Sequence, residues 1–161
     1  MIEREGYRHL PNLETNRCFG CGPANPSGLK IQFYTDGKSV VSWISVSDHF
    51  TGWSNLIHGG ILATVLDEIM GRSAIHLLKK LPMTKSMTVD YFKPVYTDME
   101  IKVVGKVIKN DEREALVEGT IFNSEGEICT RSSGTLGLFS MEFMKKKGVV
   151  RENFEEWFKK M

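Results

Sequence analysis

His58-Gly59-Gly60-Ile61-Leu62-Ala63-Thr64-Val65-Leu66-Asp67-Glu68-Ile69-Met70-Gly71 decides how the rest of the chain is read. From Gly59 to about Lys80 the sequence reads as one helix, apolar on nearly every side: Ile61, Leu62, Val65, Leu66, Ile69, Met70, Ala74, Ile75, Leu77 and Leu78. A helix hydrophobic all round is buried, not laid on a surface. A chain of 161 residues can bury one such helix by wrapping a sheet around it. Leu81-Pro82 is expected to end it, because proline cannot continue a helix.

Two carboxylates sit inside this apolar segment, and ionised carboxylates are costly to bury without compensation. Glu68 has Arg72 four residues later on the same face, acid before base, which reads as a structural salt bridge. Asp67 has no basic residue three or four positions away on either side. Its partner must come from elsewhere in the fold, from a second subunit or from substrate, unless it is simply solvated where the helix emerges. An unpaired acid in an apolar helix is a functional candidate. Gly59-Gly60 is either a plain sharp turn or a helix N-terminus whose free N–H groups suit a developing oxyanion. Gly60 and Asp67 are seven residues apart, nearly two turns on one face. One helix does not easily bring both to one small carbonyl, so joint action calls for two antiparallel copies in a dimer.

Outward from the helix, the N-terminal part through about Ser27 carries Pro11, Pro23 and Pro26 and reads as an irregular arm with a helical turn near Leu13 to Arg17. Leu29 to Tyr34 and Val40 to Val46 read as strands around the turn signal Asp36-Gly37. The stretch between Ser47 and Ile57 is irregular. After the helix, Thr84 to Val95, Met99 to Lys109, Glu112 to Asn123 and Glu127 to Ser140 are rich in β-branched and aromatic residues and read as four strands. A basic tail from Glu142 to Met161 is expected to end in a short helix near Glu152 to Lys160. Two strands, one long helix and a four-strand meander make an α+β domain with the helix on one antiparallel sheet. The expectation is one domain over 1–161, with 1–27 as the arm and 141–161 as a helical tail.

Composition narrows the function classes. The net charge of +1 offers no strong field for nucleic acid or an anionic membrane. Lys145-Lys146-Lys147 and Lys79-Lys80 could meet a phosphate, though such residues more often solvate a surface. No window approaches the roughly 20 apolar residues of a membrane span, and the first residues contain no apolar secretory stretch. Three cysteines are too few for a disulfide scaffold, so the expected compartment is a reducing cytoplasm.

The segment from His58 to Gly71 resembles the hotdog thioesterases, close to the PaaI-like and 4-hydroxybenzoyl-CoA thioesterase relatives. Thr88-Val89-Asp90-Tyr91-Phe92-Lys93-Pro94-Val95 is similar to that family's strand after the helix, and Glu125-Gly126-Glu127 to Gly134-Thr135-Leu136 to its last hairpin. Cys18-Phe19-Gly20-Cys21-Gly22 with Asn25-Pro26-Ser27-Gly28-Leu29 looks like one subgroup. The resemblance implies a curved antiparallel sheet around a long helix, with the sheets of two subunits joined, as a dimer or a dimer of dimers. It implies hydrolysis of an acyl-CoA thioester without a cofactor. The N–H of Gly59 or Gly60 would polarise the thioester carbonyl, and Asp67 of the partner subunit would act as general base or nucleophile. His58 and Asn55 would hold the loop or contact the thioester, and Thr84 would stand near the water; Glu68 joins Asn55 and Thr84 in the expected substrate surround. Many relatives carry Asn about six residues before the His, where this chain has Gly52.

Two other functions are compatible with the pattern. A non-catalytic acyl-CoA sensor would not need Asp67. A hotdog hydratase or dehydratase would pair His49, in His49-Phe50-Thr51-Gly52, with Glu68. Cys18 and Cys21 form a CxxC pair suited to zinc or redox work. Structural zinc takes four ligands, and no second CxxC is present, with Cys129 and the four His scattered. The reading adopted is a structural arm with no metal.

Overall fold

The computed structural model describes residues 4–150 and 153–161. One seven-stranded antiparallel sheet carries the fold, in the order β1-β2-β3-β7-β8-β9-β6. The strands are β1 (Arg8–Leu10), β2 (Phe33–Thr35), β3 (Val40–Ser45), β6 (Leu81–Tyr91), β7 (Glu100–Asn110), β8 (Glu114–Phe122) and β9 (Ile128–Phe139). A separate hairpin of β4 (Thr51–Trp53) and β5 (Leu56–Ile57) leads into α1 (Gly59–Ser73). This is the α+β arrangement expected from the sequence.

The sheet receives α1 mainly on β7 and β8. Leu62, Val65, Leu66, Ile69 and Met70 are buried against Val103, Val117, Ile121 and Leu136. Close approach depends on Gly105. A Cβ there would lie 2.3 Å from Ser73 Oγ and 2.8 Å from the Ile69 carbonyl oxygen. Ser73 turns its hydroxyl back to that carbonyl at 2.7 Å, so helix and strand meet nearly backbone to backbone.

Several boundaries differ from the sequence reading, each for a physical reason. The arm is not wholly irregular: β1 pairs with β2 through Leu10 and Phe33. The strand expected over Leu29 to Tyr34 starts only at Phe33. Lys30 takes a left-handed φ of 54°, and the N–H groups of Leu29 and Ile31 bond instead to the carbonyls of Phe19 and Gly20. The α-helix stops at Ser73 and continues as one wider π turn over Ala74–Leu78, closed by Lys79 at φ 54°. Pro82 does not end the helix. It lies inside β6, which proline tolerates because β6 is the sheet's edge strand. That strand consequently begins before Thr84.

The tail forms α2 (Met141–Lys146) and α3 (Phe154–Lys159); the expected helix start at Glu152 lies outside the described residues. Trp157 anchors α3, its Nε1 donating to the Pro11 carbonyl at 2.9 Å. Arg72 sits buried beside it, with its guanidinium 4.6 Å from the Phe33 ring centre and 5.0 Å from that of Trp157. The expected Glu68–Arg72 ion pair is not made among the described residues. Arg72 is held by ring faces and by the Pro11 carbonyl instead.

Candidate functional site

The N-terminus of α1 is capped by His58, whose Nδ1 accepts from the Gly60 N–H at 2.9 Å. The accepting Nδ1 belongs to an exposed side chain, with Nε2 on the far side of the ring. The cap also makes the two glycine N–H groups unequal. The Gly60 N–H is occupied, while the Gly59 N–H makes no hydrogen bond among the described residues. Tyr91 Oη donates to the Gly59 carbonyl at 2.8 Å and pins the same turn to the end of β6. Gly52 has its own steric reason, since a Cβ there would meet His58 Cα at 3.2 Å. A side chain at that position would press on the capping residue.

Asp67 faces β6. Thr84 Oγ1 donates to Asp67 Oδ1 at 2.6 Å. Asp67 is half-buried and Thr84 exposed. The structure thus joins two of the residues singled out from the sequence and supplies the partner that local spacing did not show. Asn55 is placed differently. Its carbonyl accepts from Thr97 N at 2.9 Å and Thr97 Oγ1 at 3.2 Å, which fixes the β4–β5 turn, while its exposed side chain makes no hydrogen bond among the described residues.

Glu68, one residue on, points to the arm. Its Oε1 lies 2.9 Å from Cys18 Sγ, and Gly20 packs so closely that a Cβ there would be 2.3 Å from Glu68 Cγ. Burial, then the Cys18 contact, pushes the Glu68 carboxyl up to about 8. The Cys18 thiol is pulled well below the ordinary range by hydrogen bonding with Cys21, then with Glu68 and with the backbone N–H groups of Cys21 and Gly20. Cys21 is held correspondingly high by the same sulfur pair and by burial. Glu68 therefore belongs to the arm contact and not to the surround of Asp67. His49 is exposed, with Nδ1 3.1 Å from Asp48 Oδ1, so one subunit does not bring it to Glu68.

A depression of about 320 Å³ lies beside the capped turn, lined by Leu56, Gly59, Leu62, Tyr91, Phe92 and Pro94. Larger cavities open elsewhere. One of about 730 Å³ lies along β3 and β7, with Tyr7, Trp43 and Lys102 in its wall, and one of about 810 Å³ lies between arm and tail. Neither contains the Asp67–Thr84 pair or the Gly59 N–H.

One seven-stranded antiparallel sheet packed on one long helix is the hotdog fold. Residues 54–130, just under half of the chain, match the Thioesterase superfamily model. An uncharacterised protein of Schizosaccharomyces pombe is 25% identical over 103 residues, which are 61% of this chain and 59% of that protein. A solved thioesterase superfamily protein aligns at a TM-score of 0.69 and 23% identity, covering 77% of this chain and 60% of its own. This chain thus spans about three-fifths of the length of those two relatives. A hypothetical thioesterase of Streptococcus pneumoniae TIGR4, solved with coenzyme A, aligns at a TM-score of 0.60 and 23% identity, covering 63% of this chain and 81% of its own. No helix among the described residues is long and apolar enough to cross a membrane.

Proposed function

We propose that the protein hydrolyses an acyl-CoA thioester to the free acid and CoA, with each active site built from two copies of α1. The observation that carries this reading is the Asp67 carboxylate fixed by Thr84 at 2.6 Å, beside an edge strand whose far end holds the free Gly59 donor. Along α1, eight residues at 1.5 Å each separate Gly59 from Asp67 by about 12 Å. An oxyanion donor must stand about 3 Å from the reacting oxygen, so one subunit cannot supply both groups to one carbonyl. An antiparallel second copy can. The eleven-residue strand β6 is paired on one side only, by β9, and carries exposed Met83 and Tyr91 with Phe92 just beyond. A long unpaired edge of this kind invites another strand, and a twofold dimer would pair β6 with itself.

In the proposed reaction, Asp67 of the partner subunit takes a proton from water as the oxygen attacks the thioester carbon. The Gly59 N–H stabilises the oxyanion, the C–S bond breaks, and the CoA sulfur leaves and takes up a proton. In the variant in which the carboxylate itself attacks, CoA thiolate leaves as an acyl–Asp67 anhydride forms, and water that opens the anhydride at the aspartyl carbon releases the acid and leaves one solvent oxygen in Asp67. A single turnover in ¹⁸O water detects that route. Relatives of the same fold lend support. The pneumococcal protein has been solved with coenzyme A and, separately, with an aspartate and with a threonine replaced by alanine. A Streptococcus mutans protein has been solved bound to acetyl CoA. Short, long and aromatic acyl-CoAs tested with wild type and Asp67→Asn decide the matter. Hydrolysis of at least one class, lost in the variant while binding survives, is the expected result. Wild-type hydrolysis by Asp67→Asn would sink the mechanism, and binding without turnover by wild type would make the protein a sensor.

A further inference from the structure

The residues left over by that chemistry gather where the arm crosses α1. Cys18 Sγ, Cys21 Sγ and a carboxylate oxygen of Glu68 all lie within 4.8 Å of one another. Cys21 is buried, and Cys18 and Glu68 are half-buried. We propose that these three side chains bind a divalent metal ion of the thiolate-preferring kind, zinc first, which staples the arm to the central helix.

Charge gives the first reason. Bound to a metal, the two sulfurs as thiolates and the ionised carboxylate would bring three negative charges into a buried place, where charge needs a partner. A divalent ion cancels two. Arg72, with Nη2 3.8 Å from Cys21 Sγ, cancels the third, so the filled site is neutral. The donor set agrees, because thiolate ligands with one oxygen select zinc over magnesium or calcium.

Backbone geometry gives the second. The Gly22 N–H bonds to the Cys18 carbonyl at 2.9 Å, closing the CxxC stretch into a tight turn with both sulfurs on the α1 side. Cβ atoms at Gly20 and Gly22 would fall 2.3 Å from Glu68 Cγ and 2.5 Å from Cys18 N, so the turn reaches the carboxylate only with glycine at both places. Asn16 holds the turn from outside, with Oδ1 accepting from Cys18 N at 2.9 Å and Nδ2 3.6 Å from Cys21 Sγ. Such outer contacts orient metal-binding sulfurs. Zinc–sulfur bonds of about 2.3 Å and zinc–oxygen bonds of about 2.0–2.2 Å space tetrahedral ligands roughly 3.5–3.8 Å apart. The three donor atoms, all within 4.8 Å of one another, already lie near that spacing.

A fourth position remains, and three protein ligands with one water is a known zinc arrangement. Cys18 and Asn16 line the cavity of about 810 Å³ between arm and tail, which provides an entry path for the ion and room for water. A disulfide between Cys18 and Cys21 would use neither Glu68 nor Arg72, and it is the competing fate of these sulfurs.

The test uses the full chain, purified without chelator or affinity histidines, with metals counted by mass spectrometry. Wild type is expected to hold about one zinc or iron per chain, and Cys18→Ser, Cys21→Ser and Glu68→Gln about a tenth of that or less. Chelated wild type titrated with Co(II) should develop thiolate-to-cobalt charge-transfer absorption that saturates near one equivalent. This readout needs no variant to fold and no hydrolytic activity, so it stands or falls apart from the thioesterase reading. Reduced wild type that gives no such absorption overturns the proposal. So do a Cys18–Cys21 disulfide in the freshly purified protein, and a folded Glu68→Gln chain that binds metal as wild type does.

Discussion

Replacing Thr84 by valine probes the proposed chemistry more finely than removing the carboxylate, because it leaves Asp67 in place and takes away its orienting partner. The Thr84 hydroxyl gives the only hydrogen bond that the Asp67 carboxylate receives among the described residues. A hydrogen bond to a charged acceptor is worth about 1.5–3 kcal/mol. Thr84 is exposed in the single subunit, which places its share at the lower end, about 1.5 kcal/mol. Each 1.4 kcal/mol or so on the barrier is a factor of about ten. Thr84→Val is therefore expected to lower kcat about tenfold with KM little changed, and Thr84→Ser to keep most of the rate. Asp67→Asn removes the proton acceptor and should lower kcat by about 10²–10⁴. The double variant should be no slower than Asp67→Asn alone, because the threonine acts through the carboxylate. The assay is release of CoA thiol, followed with a thiol-reactive dye, on the acyl-CoA class that wild type prefers. A Thr84→Val rate equal to wild type, or a double variant markedly slower than Asp67→Asn, would refute the positioning role.

Gly105→Ala should lower the denaturation midpoint by the equivalent of about 1–3 kcal/mol, because its Cβ would meet Ser73 and the Ile69 carbonyl. Gly71→Ala, where a Cβ meets nothing within 4 Å, should raise it by about 0.5–1 kcal/mol; urea titration of both separates close approach from helix propensity. His76 is held below its ordinary range by burial, then by the charge of Lys79, with Arg8 and Arg72 adding to the effect. The folded protein thus binds that proton less readily than the unfolded chain. The stability this neutral ring contributes is present above about pH 6.5 and is lost as pH falls from there through the folded value. His76→Gln should flatten that part of the melting-temperature profile, and an unchanged slope would remove His76 as its source. Met83→Lys on the open edge of β6 should shift sedimentation from dimer towards monomer and lower hydrolysis in step. Full hydrolysis by a demonstrated monomer would reject the two-subunit site.

What could be read from the sequence was local. The helix start was legible because His58-Gly59-Gly60 signals it through backbone chemistry, and the all-round apolar pattern marked α1 as the buried element. The meander showed itself through β-branched runs and turn residues. Contacts set by the sheet's order were not legible. Pro82 reads as a helix stop in the sequence because nothing there says that β6 is an edge strand. The four-residue rule pairs Arg72 with Glu68, but that rule describes solvated helix faces. Here the face is buried under Phe33 and Trp157, from opposite ends of the chain. The third potential ligand beside the CxxC pair stands 50 residues from Cys18, so spacing rules built on nearby cysteines and histidines did not find it.

Asp67 and Glu68 show how one helix serves two separate structures. Successive residues on an α-helix point about 100° apart, enough to send Asp67 to Thr84 on β6 and Glu68 to Cys18 on the arm. Their surroundings then treat two similar carboxyls in opposite ways. Glu68 is desolvated beside a sulfur that competes for its proton, and its carboxyl is pushed up to about 8. Asp67 instead keeps a half-open edge and receives a hydroxyl donor from Thr84 at 2.6 Å. A neighbour at 100° that bound a metal would fix the rotation of α1 about its axis, and with it the direction in which Asp67 faces β6. Loss of the arm contact should therefore act on hydrolysis through the Asp67–Thr84 distance and not through the acid itself. In that case Glu68→Gln lowers kcat by less than Asp67→Asn does, and its residual activity still depends on Thr84.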